Sequence, residues 1–96
     1  MQFVVIARDG TDEQALERRL RARESHIAGA RKMKEKGEML LAGAMMDEQG
    51  KMIGSVMVVD FPDHAALDAW LNNDPYTTGG AWKSVEVKPF RVAIAP

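Results

Sequence analysis

Cysteine is absent from the 96-residue chain, and only two histidines occur in it. Without cysteine the protein can form neither a disulfide nor a thiolate nucleophile. Two histidines and no thiolate also argue against a structural zinc site. The chain has no glycine-rich phosphate-binding loop either. We therefore expect a protein that works without a metal ion or other cofactor.

An excess of charge of one sign and a long apolar run are also missing. The 13 Lys and Arg residues balance 14 Asp and Glu residues, so nothing favours a nucleic-acid partner or an anionic membrane surface. No apolar run reaches the roughly 20 residues of a membrane span. The first residues, M-Q-F-V-V-I-A-R-D-G, lack the basic start of a signal peptide. We therefore expect a cytoplasmic protein with neither a nucleic-acid nor a membrane partner.

The apolar patterning predicts a βαββαβ order within one domain that spans residues 1–96. Strands are expected at Gln2–Asp9, Met39–Met46, Met52–Phe61 and Ser84–Ala95, and helices at Asp12–Lys36 and Asp63–Asn73. This order is typical of a ferredoxin-like α+β sandwich, in which one antiparallel sheet carries both helices on one face.

The strands carry apolar residues on both faces. In the first strand Phe3, Val5 and Ala7 lie on one side, and Val4 and Ile6 lie on the other. Because the two helices cover one face only, the second face would expose an apolar surface, which is typical of a binding surface. We predict that a second copy of the chain packs on it and forms a homodimer.

The first helix carries an apolar ladder and, beside it, a histidine. Its buried side is predicted from the apolar ladder Leu16, Leu20, Ile27 and Ala30. His26 lies beside this ladder, among small residues, and Arg23 is three residues before it on the same side. Gly29 costs about 1 kcal/mol relative to alanine within a helix. This cost indicates a local reason, either a close backbone approach or room for a ligand near His26.

Two interpretations of His26 are open. It is either a half-buried imidazole bonded to a neighbouring strand or a group that moves a proton. The second interpretation requires a partner, and the best candidate is Asp74 in the loop Asn72–Gly80, which can come near the first helix. A carboxylate on one imidazole nitrogen fixes the tautomer and leaves the other nitrogen to take or give a proton. Alternatively, Asp74 is a turn aspartate before Pro75 that bonds its own backbone.

A set of short motifs carries a family resemblance. They are Arg23-x-x-His26, Gly43, Gly54-Ser55-Val56, Asp74-Pro75-Tyr76, Gly80-x-Trp82 and Val87-Lys88-Pro89-Phe90. In this order and spacing the chain resembles the YciI-like (YCII-related) family over nearly its whole length. The resemblance implies a ferredoxin-like fold that assembles as a dimeric α+β barrel. It also implies an active pair on His26 and Asp74 with Ser55 as a nearby polar group, and one branch of the family performs dehydrochlorination of a chlorinated hydroxyquinol.

These observations predict a cofactor-independent enzyme, a lyase, isomerase or dehydrochlorinase, that acts on a small anionic or phenolic molecule. His26 and Asp74 are the predicted catalytic residues, and Ser55, Tyr76 and Arg23 are the predicted substrate-binding residues. Tyr76 could instead be an apolar cover of its loop, and Arg23 could be a solvated or dimer-facing charge. The rival interpretation of the whole chain is a non-catalytic dimeric module that binds a small molecule or a protein.

Overall fold

Four strands and three helices follow one another in the computed structural model, which describes all 96 residues. They are β1 (Gln2–Asp9), α1 (Ala15–Glu35), β2 (Met39–Met46), β3 (Met52–Asp60), α2 (His64–Asn73), α3 (Pro75–Thr78) and β4 (Trp82–Pro89). The strand order is β2-β3-β1-β4, and every neighbouring pair is antiparallel. The predicted ferredoxin-like α+β fold is confirmed. The short α3 was not predicted, because the sequence of this segment is that of a turn.

Two boundaries differ from the prediction for identifiable reasons. Helix α1 begins three residues late because the carboxylate of Asp12 accepts hydrogen bonds from Arg18 at 2.6 and 2.9 Å and from the Gln14 amide at 3.2 Å. Strand β4 ends at Pro89 and not at residue 95. Its partner β1 begins at Gln2, so the chain beyond Phe90 has no strand left to pair with.

The helix-covered face of the sheet forms the core. Phe3, Val5, Met57 and Val59 are fully buried there, as the alternation of the strands predicts. Leu67 from α2 is also fully buried, and Met33 from α1 joins the same cluster. The same face also carries polar side chains at one end of the strands, and these side chains belong to the site described below.

The opposite face of the sheet is apolar in the middle and polar along one edge. Ile6 and Val4 are flanked on β4 by Glu86 and Lys88, which are exposed. On β2 of this face, Leu41 is 49% exposed. Phe90 and residues 92–96 line an apolar groove of about 420 Å³ against this part of the sheet. Because the structure contains a single chain, the homodimer through this face stays a prediction.

The predicted ladder of α1 is not its most buried row, although Ala30 packs against the core. The buried residues are Ala15, Arg19, His26 and Met33, and Leu20 is 53% exposed. The helix turns its more polar row inward because Arg19 and His26 both find carboxylate partners there. A Cβ added to Gly29 would meet no atom within 4 Å, so a close backbone approach does not explain that glycine.

Candidate active site

His26 and Asp74 form a buried pair although they are 48 residues apart in the sequence. The distances from His26 Nδ1 to the two carboxylate oxygens of Asp74 are 2.8 and 3.1 Å. Because a carboxylate only accepts hydrogen bonds, Nδ1 carries the proton and donates it. The two residues are 4% and 6% exposed, so bulk solvent does not compete for this bond.

Asp74 is also the N-cap of α3. Its Oδ2 accepts a hydrogen bond from the backbone N–H of Tyr76 at 3.0 Å, and Pro75 occupies the first helical position. The contacts that the two interpretations of Asp74 require are therefore both present, because one carboxylate bonds its own turn and the imidazole. The turn therefore fixes the position of the carboxylate that His26 contacts.

The ring of His26 is fixed by aromatic neighbours. Tyr76 stacks on it with ring centroids 4.0 Å apart, and Trp82 meets it edge-on at 5.7 Å. The second ring nitrogen, Nε2, makes no hydrogen bond. Arg19 Nε is the only fully buried side-chain nitrogen or oxygen that lacks a hydrogen-bond partner. Nε2 of His26 also lacks a partner, so it is not fully buried and solvent reaches it. Nε2 is thus the ring nitrogen of the pair that is left without a partner.

A cavity of about 170 Å³ lies beside His26. Its polar lining consists of Arg19, Arg23, His26, Ser55 and Tyr76, and its apolar walls come from α1, β2 and β3. A cavity of about 150 Å³ accommodates benzene, so this one has room for a single small ring. All the predicted site residues except Asp74 line the cavity, and Asp74 lies behind His26.

Arg19 and Asp9 are central to the site, and neither was predicted from the sequence. Arg19 Nη1 donates to the two oxygens of Asp9 at 3.0 and 3.2 Å, and Nη2 donates to Ser55 Oγ at 2.9 Å. The guanidinium also lies over the Tyr76 ring, 4.5 Å from its centroid. Two signals were available: Arg19 is seven residues before His26 on the same helical face, and Asp9 continues the inward-facing series of β1.

Burial shifts two titratable groups of this cluster. It raises the pKa of Asp9, against the opposing effect of the Arg19 charge and hydrogen bonds. Burial also raises the pKa of Tyr76, against the opposing charges of Arg19 and Arg23. Tyr76 therefore keeps its hydroxyl proton at neutral pH, and the residue lines the cavity.

Arg23 differs from Arg19 in that it is exposed and makes no hydrogen bond or ion pair. It lines the cavity from the solvent side, where its charge is free to meet an anionic group. No three His, Asp or Glu side chains lie together in a group that could hold a metal ion. None of the helices has the length and apolar character needed to cross a bilayer.

Comparison with solved structures agrees with the fold. The 5-chloro-2-hydroxyhydroquinone dehydrochlorinase of Burkholderia phenoliruptrix AC1100, solved with 2,5-dihydroxybenzoquinone, superposes with a TM-score of 0.82 at 19% identity over 95% of this chain and 94% of that one. A dimeric ferredoxin-like protein from Jannaschia sp. CCS1 gives a TM-score of 0.54 at 16% identity, over 95% and 98% of the two chains. At these identities the likeness shows the fold.

Sequence comparison identifies the family. Protein YciI of Escherichia coli O6:H1 is 34% identical, over 95% of this chain and 97% of that protein. An uncharacterized protein of Haemophilus influenzae is 33% identical over the same shares. The family model of the YCII-related domain matches residues 1–91, which confirms the resemblance predicted from the motifs. This chain belongs to the YCII-related domain family.

Proposed function

We propose that the protein is a cytoplasmic, cofactor-independent enzyme of the lyase, isomerase or dehydrochlorinase type, acting on a small anionic or phenolic molecule. One observation carries the proposal: His26, whose Nε2 makes no hydrogen bond, lines a ring-sized cavity while Asp74 holds Nδ1. This arrangement suits a general base whose imidazolium form is stabilised by the carboxylate behind it.

The proposed chemistry is a proton transfer at Nε2 of His26. In a dehydrochlorination, Nε2 takes a proton from the substrate, the released electron pair forms a new π bond, and chloride leaves with the electrons of its C–Cl bond. Ser55 and Tyr76 position a substrate oxygen, and Arg23 attracts an anionic group. The named reaction of the Burkholderia neighbour supports this class of substrate.

Replacing Asp74 with asparagine tests the pair. Asparagine retains a side-chain oxygen but not the charge that stabilises an imidazolium, so we expect kcat/KM to fall by roughly 100-fold. The assay follows chloride release from 5-chloro-2-hydroxyhydroquinone and from related chlorinated hydroxyquinols. In ¹⁵N spectra the wild-type ring of His26 should show the Nδ1–H tautomer, and this preference should be lost in the variant.

The control for this experiment is Asp68→Asn, because Asp68 is an exposed aspartate on α2 with no hydrogen bond or ion pair. Its activity and its His26 spectrum should match the wild type. Saturable binding of these compounds without turnover would refute the enzyme and favour the non-catalytic binding module. Unchanged turnover in Asp74→Asn would refute the role of the pair.

We also propose that two copies associate through the open face of the sheet, as the dimeric Jannaschia protein suggests. The exposed apolar residues there include Leu41, and the face lacks the polar alternation of a solvated sheet. Leu41→Glu should therefore give a monomer in sedimentation experiments, because it places a charge in the interface. Leu20→Glu, at an equally exposed leucine on α1, should remain dimeric. A monomeric wild type would contradict the proposal.

A further inference from the structure

The hydroxyl of Ser55 has no acceptor capacity left for a ligand. Its oxygen accepts a hydrogen bond from Arg19 Nη2 at 2.9 Å and another from Trp82 Nε1 at 3.3 Å. A hydroxyl group has two lone pairs and one proton, and neither guanidinium nor indole can act as an acceptor. Only the proton of Ser55 is therefore available to a bound molecule.

The two groups that donate to Ser55 are held in place. Asp9 holds Arg19 by two hydrogen bonds to Nη1, the Tyr76 ring lies against its guanidinium, and Arg19 is 3% exposed. Trp82 is buried and packs edge-on against the stacked rings of His26 and Tyr76, at centroid distances of 5.7 and 5.4 Å. Because these donors were ordered on folding, the hydroxyl does not need to reorganise when a ligand binds.

The Ser55 proton has no acceptor within the protein. Ser55 donates no hydrogen bond to another residue, and it lines the cavity beside His26. Tyr76 lines the same cavity, and its hydroxyl makes no hydrogen bond and keeps its proton. Arg23 adds a cation at the opening. Ser55, Tyr76 and Arg23 therefore bring three hydrogen-bond donors to the lining of this cavity.

We propose that Ser55 is an obligatory hydrogen-bond donor, so that the cavity selects a ligand with an acceptor oxygen, such as a phenolate, enolate or carbonyl, and discriminates against one with an N–H group at that point. Arg19 and Trp82 are positioning residues that set this polarity. The inference rests on the proposed function in using the same cavity. It requires binding only, and no turnover.

The test uses two probes of nearly equal shape, 4-nitrophenolate and 4-nitroaniline, and measures their affinities by NMR titration. The wild type should prefer the phenolate. Ser55→Ala should weaken phenolate binding about tenfold, the loss expected for one hydrogen bond to a charged oxygen, and should leave nitroaniline binding unchanged. Ser84→Ala, at an exposed serine of β4, is the matched control and should bind both probes as the wild type does.

Trp82→Phe provides a second measurement that retains the Ser55 hydroxyl. Removing the indole N–H frees one lone pair of Ser55, so the hydroxyl can accept a hydrogen bond from the aniline. The ratio of the phenolate affinity to the aniline affinity should therefore fall about threefold or more. An unchanged affinity ratio in this variant would overturn the proposal. If Ser55→Ala does not fold, the Trp82→Phe measurement alone decides whether the proposal holds. Equal binding of the two probes by the wild type, or no binding of either, would also overturn it. A protein that shows this selectivity but turns nothing over would keep the inference and refute the proposed function.

Discussion

Replacing His26 with glutamine should lower kcat/KM by roughly 10³-fold, within the range that one general acid or base contributes. Glutamine is similar in size, and its amide can still donate a hydrogen bond to Asp74, so the buried carboxylate keeps a partner. It has no nitrogen that takes up a proton near neutral pH, so the transfer at Nε2 is lost. The effect should appear in kcat, with little change in the affinity of the probes described above.

The protein contains a matched control for this change. His64 is the only other histidine and is exposed at the start of α2, where its ring meets the edge of Phe3 at a centroid distance of 5.0 Å. His64→Gln should leave kcat/KM unchanged. If His26→Gln retains wild-type turnover on a substrate that the wild type converts, proton transfer by His26 is excluded.

Arg19→Met should lower the free energy of unfolding by about 3–5 kcal/mol, the usual cost of removing one partner of a buried ion pair. Methionine fills most of the volume, but it leaves the 9%-exposed Asp9 without a counter-ion and Ser55 without one of its donors. The uncompensated carboxylate, more than the lost packing, destabilises the variant. Urea unfolding at neutral pH measures the change.

The pH dependence distinguishes this cause from a simple packing defect. Burial already raises the pKa of Asp9, and removing Arg19 removes the largest opposing effects, so that only the weaker opposing charge of Arg18 remains. The folded variant then binds a proton more tightly than the unfolded chain does, so its stability falls as pH rises through the raised pKa of Asp9. We expect the free energy of unfolding of Arg19→Met to be closer to that of the wild type at about pH 5 than at about pH 8.

Two further variants complete the experiment. Asp9→Asn combined with Arg19→Met should recover part of the stability, because removing both charges leaves no buried ion unpaired. Arg21→Met breaks the exposed pair between Arg21 and Glu17, whose side chains are 71% and 68% exposed, and it should change stability little. A loss in Arg19→Met that is the same at both pH values would exclude the buried charge as its cause.

Local patterns in the sequence were enough to predict the βαββαβ order. Alternation along β1 identified the strand and its two faces, since side chains of a strand point to opposite sides in turn. Pro75 was sufficient to end α2 before Asp74, because the residue before a proline disfavours the helical conformation. His26 and Asp74 could be named because both side chains suit proton transfer and because their motifs resemble those of the family.

Only the tertiary structure decided which side of α1 is buried. Leu20 looks like a core residue and Arg19 like a surface residue when the helix is considered alone, yet the structure reverses them. A charge can be buried only where a partner is supplied. The partners of Arg19 come from two strands: Asp9 lies at the end of β1, and Ser55 lies on β3, 36 residues further along the chain. The free energy of burying that guanidinium depends on contacts between segments that are distant in sequence, so hydrophobic periodicity within one helix cannot report it.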